Sequence, residues 1–148
     1  MTSAPLPASD LPGVTFLDIT ADVGFEVRGP DLKTVFERAA LATFSVLADL
    51  DTVQERQAVP IQVQAEDREG LLVEWLTELL YRFEVDRLLF RRFAVDHLTD
   101  TELRATAYGE PMDPTRHELR VFIKGVTYHL LAVQETPEGA WVRVVLDI

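Results

Sequence analysis

Residues 88–111 read LLFRRFAVDHLTDTELRATAYGEP. Two strand-like runs, residues 88–98 and 102–110, are parted only by a turn around Thr99-Asp100. So short a connection favours an antiparallel pair, because a parallel pair needs a crossover of a dozen residues or more. The pattern continues towards the C-terminus. ELRVFIKGVTYHLLAVQE (residues 118–135) and AWVRVVLDI (residues 140–148) are again strand-like. Turn residues from Pro111 to Pro114 and at Pro137-Glu138-Gly139 separate these runs.

Towards the N-terminus the period changes. In residues 67–86, Leu71, Leu72, Trp75, Leu76, Leu79, Leu80 and Phe83 cover one broad apolar face, which predicts a helix. Upstream, Val59, Ile61, Val63 and Ala65 alternate with Pro60, Gln62, Gln64 and Glu66. That is a half-buried strand, with Pro60 marking an edge or a strand start. Leu32, Val35, Phe36, Ala39, Ala40, Phe44 and Leu47 recur at helical spacing and predict a helix over 32–50. Gly29-Pro30 makes the turn before it, and Asp31 is its candidate N-cap. VTFLDI (14–19) and GFEVRG (24–29) read as two strands with TADV between them.

The order is β-β-α-β-α-β-β-β-β. It predicts an α+β fold, a two-layer sandwich of two amphipathic helices packed on one mostly antiparallel sheet. Residues 14–148 form a single domain behind a loose leader, 1–13 (MTSAPLPASDLPG), with Pro5, Pro7 and Pro12. At 148 residues the chain is long enough for its own core.

Composition narrows the function classes. There is no cysteine, so there is no disulfide framework and no thiolate chemistry. Fourteen Lys and Arg stand against 25 Asp and Glu, a net charge of −11. Such a chain repels phosphate backbones and anionic membranes, so direct nucleic-acid binding is not expected, and a basic protein partner or a cation suits it better. No apolar run approaches the roughly 20 residues of a bilayer span. The N-terminus has neither a basic residue nor an apolar run of signal type, and a cytoplasmic location is expected.

The usual catalytic motifs are missing. His97, His117 and His129 form no HxH or HExxH pair, and no Gly-rich phosphate loop or GxSxG occurs. Two features stand out. The chain holds twelve arginines but only two lysines, Lys33 in the first turn of the first helix and Lys124 inside an apolar strand. A lysine offers a compact charge where arginine offers a rigid fork. The plainer reading of Lys124 is a solvated residue on its strand's outer face. Asp22 sits between two strands, where turn chemistry alone would account for it. Asp147 lies near the end of a strand, where aspartate is disfavoured. Were Asp22 on a neighbouring loop, its carboxylate, that of Asp147 and the oxygens of Ile148 would converge as a hard-cation site, not a zinc site.

Six segments in order, FLDITADVGFEVRG, DLKTVFERAALATFSVL, EDREGLLVEWLTELLYRFEVD, AYGEPMDPTRHEL, IKGVTYHLLAV and WVRVVLDI, resemble the archease family. Archeases are small proteins that assist the tRNA-splicing RNA ligase. The resemblance implies an activator rather than an enzyme. It would promote GTP-dependent guanylylation of the ligase's active-site histidine, and it would support multiple turnover. The family's metal site falls on Asp22, Asp147 and Ile148, with calcium, magnesium or manganese as the ion, and its functional strand lysine falls on Lys124. On that reading the chain ends within a strand because the end belongs to the site. One position departs from the family: Ile19 stands where a histidine usually precedes Thr-Ala-Asp. Trp75 and Tyr81 read as core or rim of the second helix. Gly109, Pro111, Asp113 and Pro114 read as turn formers, and His117 as a turn cap or a partner contact. His129, five residues past Lys124, should face the opposite side of its strand. Two other functions fit the same residues: a metal-dependent phosphohydrolase, and a metal-independent acidic adaptor or chaperone.

Overall fold

Both helices begin where a side chain satisfies their first free N–H groups. In the computed structural model, which describes residues 11–148, helix α1 spans Leu32–Leu47 and helix α2 spans Arg68–Asp86. The Asp31 carboxylate accepts from the Thr34 N–H at 2.8 Å, and Asp67 accepts from the Gly70 N–H at 2.7 Å. Each is the acidic cap that helix N-termini favour, contributing about 1 kcal/mol. Helix α1 stops three residues short of expectation. Ala48 is extended, and Leu50–Thr52 forms a separate 3-10 turn capped by Asp49. Helix α2 ends on Arg87, a non-glycine residue in the left-handed region. Most of the leader, residues 1–10, lies outside the described residues.

Among the described residues seven strands accompany the helices: β1 Val14–Leu17, β2 Asp22–Gly29, β3 Gln57–Gln64, β4 Leu88–Leu98, β5 Glu102–Pro111, β6 Gly125–Thr136 and β7 Gly139–Asp147. Every pairing is antiparallel, as expected. The expected single sheet is divided in two. One sheet has the order β1-β2-β7-β6 and the other β3-β5-β4. The division falls after β5. Pro111 ends that strand, and residues 112–124 cross from one sheet to the other outside any strand. Leu119 makes an isolated antiparallel bridge with Ala48, the Arg120 N–H donates to Leu47 O at the end of α1, and the Lys124 N–H donates to Asp147 O at the end of β7. Strand β6 therefore starts at Gly125 rather than near 118, and Lys124 sits just before it. Pro60, which has no N–H to give, is on edge strand β3 as expected.

Helix α1 packs on β2 and β7 of one sheet and on β4 of the other; α2 packs on β6 and β3. The core lies around them. Phe44 meets Phe90 and Phe93 at ring-centroid distances of 5.6 and 5.7 Å, and Trp75 stands edge-on to Phe93. Trp75 is fully buried, and its indole N–H donates to Phe36 O at 2.9 Å. Fully burying a large apolar side chain of this kind contributes about 2–3 kcal/mol. Tyr81, by contrast, is exposed.

Candidate functional site

The pairing of β2 with β7 sets the geometry. Val23, Phe25 and Val27 of β2 lie directly opposite Leu146, Val144 and Val142 of β7, all buried in the core. Residues between them face away from the helices. Asp22 and Asp147 are among those outward residues, and they are register partners, Asp22 opposite Asp147. Sequence reasoning placed Asp22 in the connection; it is the first residue of β2, because pairing with β7 runs through it. On the other side of β7, Gly125 of β6 is also opposite Asp147, and the Lys124 N–H donates to Asp147 O at 2.7 Å. Asp22, Asp147 and Gly125 therefore form one row across β2, β7 and β6, and Lys124, the residue before β6, lies at the same end of the sheet, one position off that row. Ile148 follows directly, with its side chain packed partly against the core.

The β1–β2 connection holds this end in place. Ala21 takes a left-handed backbone at φ +66°, a conformation L-residues visit at a cost of about 1–2 kcal/mol. Ile19 folds over Gly24: a Cβ placed on that glycine would lie 2.4 Å from Ile19 Cδ1. The isoleucine thus covers the outer face beside the carboxylates with hydrocarbon.

Asp22 is half-buried and Asp147 exposed, and neither forms an ion pair with another described residue. Lys124 is exposed and likewise in none of these ion pairs. Like charges directly opposite on neighbouring strands repel, so the pair favours a cation. All its donors are oxygens, which suits a hard divalent ion. Among the described residues no three His, Asp or Glu side chains gather into a cage.

A second polar cluster was not legible in the sequence. Glu110, 1% exposed, is the last residue but one of β5, with its carboxylate turned inward. Arg116 grips it with two N–H groups at 2.7 and 3.1 Å, the Gln54 N–H donates at 2.8 Å, and the His117 ring lies 2.9 Å away. The Arg116 bonds above all hold the Glu110 carboxyl down at about 2, against the opposing effect of burial. His117 Nδ1 accepts from the Asp113 N–H at 2.8 Å, so the ring proton is on Nε2 and points to Glu110 and to Thr52 O. His117 is buried and acts as the turn cap, not as a surface contact. The cluster ties the 3-10 turn, the end of β5 and the 113–117 turn together, and so anchors the segment that leads to Lys124. Gly109 fits there only without a side chain, since a Cβ would lie 1.8 Å from Leu89 O. The sequence signal was the acid wedged between Gly109 and Pro111.

His129 is exposed, but strand alternation does not place it. Between Thr127 and Ala132 the β6–β7 register shifts, and alternation counted from Lys124 is lost there.

The fold and sequence have close counterparts. A model of the archease protein family matches residues 15–148. A protein archease of Methanosarcina acetivorans is 42% identical over 137 residues, covering 90% of this chain and 94% of its own. One from Pyrococcus abyssi is 37% identical, covering 87% of this chain and 94% of its own. The solution structure of Methanobacterium thermoautotrophicum protein 1598 superposes with a TM-score of 0.76 at 36% identity, covering 92% of this chain and 99% of that one. A family match that runs from β1 through β7, with relatives alike over nearly their whole length, shows that this chain belongs to the archease protein family.

Proposed function

We propose that the chain is a protein activator of a GTP-dependent tRNA-splicing RNA ligase, promoting guanylylation of the ligase's active-site histidine and multiple turnover. Family membership supports the partner. The observation that carries the mechanism is the outward, register-paired Asp22 and Asp147, with the exposed Lys124 next to that pair at the same end of the four-stranded sheet. Asp22, Asp147 and an oxygen of Ile148 would hold a calcium-, magnesium- or manganese-type ion. Bound there, such an ion would supply positive charge for phosphate oxygens. The two carboxylates orient that end of the chain toward cationic groups of the partner. The exposed Lys124 ammonium adds charge that favours a triphosphate or its transition state. Ile19 and Val145 keep the outer face beside the site apolar. No helix of the described residues is long and apolar enough to cross a membrane, and the proposed location is the cytoplasm.

The test mixes the protein with its cognate ligase, GTP and manganese and follows ligase guanylylation and turnover. Wild type should stimulate, and Asp22→Ala and Asp147→Ala should not, while remaining folded. Stimulation that persists in both variants would keep the partner and discard the carboxylate site. GTP hydrolysis by the protein alone, lost in the same variants, would replace the activator reading with a phosphohydrolase.

A further inference from the structure

Strand β6 is an edge strand, and it carries an irregular bulge two residues from the carboxylate row. Thr127 is opposite Val145 and Ala132 is opposite Arg143, so five steps along β6 match two along β7. The looped-out residues present Tyr128 at 65% exposure and Leu130 at 47%, with His129 exposed between them. Leu130 has φ +57°, a left-handed backbone that a leucine adopts only under strain. The surrounding structure enforces it. Arg143 Nε donates to Leu130 O at 2.8 Å while its guanidinium pairs with Glu26 at 3.2 Å. Thr127 Oγ1 donates to Val145 O at 3.0 Å and accepts from the His129 N–H.

Edge strands are commonly blunted by bulges, and blunting alone is served by a charge, a proline or a glycine. This bulge instead holds two large apolar side chains out in water and spends backbone strain to do so. Thr127 and Val145 are two residues along their strands from Gly125 and Asp147, so the bulge begins roughly 7 Å from the acidic row. Tyr128 leans round the sheet edge toward the start of α2, its hydroxyl 4.0 Å from where a Cβ on Gly70 would lie, so a partner seated on the acids meets the bulge by reaching over the open edge of β6. The charge of the chain selects among partners: at −11 it disfavours RNA and anionic lipid and favours a basic protein surface.

We infer that Tyr128 and Leu130 form an apolar anchor that enters a pocket on a basic protein surface, beside the place where that surface meets Asp22 and Asp147. Naming that surface as the ligase rests on the proposed function. The anchor supplies affinity and the acidic row supplies activation, so the two are separable.

The experiment measures ligase guanylylation against activator concentration, with binding to immobilised ligase in parallel, for wild type, Tyr128→Ser, Leu130→Asn and Asp22→Ala. Asparagine tolerates the left-handed backbone, so Leu130→Asn relieves strain while removing the apolar contact. Its melting temperature should equal or exceed that of wild type. Half-saturation should rise about tenfold for Tyr128→Ser and for Leu130→Asn, with the maximal rate unchanged, as for truncated interface anchors. Asp22→Ala should lower the maximum at every concentration. Unchanged half-saturation in both bulge variants would overturn the anchor and leave the bulge as edge protection. A lowered maximum with unchanged half-saturation would overturn it too. Binding of a tRNA transcript or of phosphatidylcholine vesicles that the two substitutions abolish would put RNA or lipid on the bulge instead. If wild type neither binds nor stimulates the ligase, the functional reading falls and the anchor falls with it.

Discussion

Asp22 and Asp147 stand directly opposite each other on β2 and β7, on the sheet face turned away from both helices, and neither has a cationic partner among the described residues. Two carboxylates in register repel when bare and cooperate when an ion lies between them. Stability and ion binding should therefore respond in opposite directions to one substitution.

Asp147→Asn should make the metal-free protein more stable by about 0.5 kcal/mol, or roughly 2 °C in melting temperature. In wild type, added calcium or manganese should raise the melting temperature through binding to the folded state. In Asp147→Asn that rise should shrink or vanish. Thermal unfolding with chelator and with each ion checks both halves. An ion-dependent rise that is equal in the two proteins would remove Asp147 from the set of ligands.

Glu110 should give the fold an acid limit. Its carboxyl is held at about 2 rather than 4.5, first by the Arg116 hydrogen bonds. A carboxyl depressed by folding stabilises fully above its unfolded value, and that contribution disappears as pH falls through the folded one. This group's share should thus be present above about pH 4.5 and gone by about pH 2. The Arg116 side chain is one-third exposed, and screening reduces the effect to about 2 kcal/mol. Urea unfolding at pH 7 and pH 3 should show Glu110→Gln less stable than wild type at neutral pH and less sensitive to acid. Parallel losses in the two proteins would disprove the assignment.

The elements were legible because their signals are local. Asp31, the Leu and Phe stripe of α1, Pro60 and Pro137-Glu138-Gly139 each act within a few residues, and each is where it was expected. The division into two sheets was not legible, since nothing local says that residues 112–124 cross between sheets rather than extend a strand. Nor was the bulge: TYHLL carries no glycine or proline to mark it, and Leu130 is held in place by Arg143, which follows it by 13 residues. The acid pair was visible as two unusual aspartates. Their register depends on β2 lying beside β7, the second strand beside the last. Glu110 escaped because an inward carboxylate at a strand end reads in sequence like an outward one.

Lys124 should separate activation from stability. Its bond to Asp147 O comes from the backbone N–H and survives replacement of the side chain. The side chain is exposed, so Lys124→Ala should change stability by less than about 0.5 kcal/mol. Its proposed work is charge beside phosphate, and removing one such group from a reacting centre lowers rates by about a hundredfold. Lys124→Ala should therefore melt like wild type and stimulate ligase guanylylation only weakly. Lys124→Arg keeps the charge but replaces a compact ammonium with a planar fork. Partial activity in the arginine variant would mean that charge at this end of the sheet is the main requirement. No activity would mean that the ammonium fits a site shaped for it. Full activity in Lys124→Ala would return the lysine to its plainer role, a solvated residue at the entry to β6.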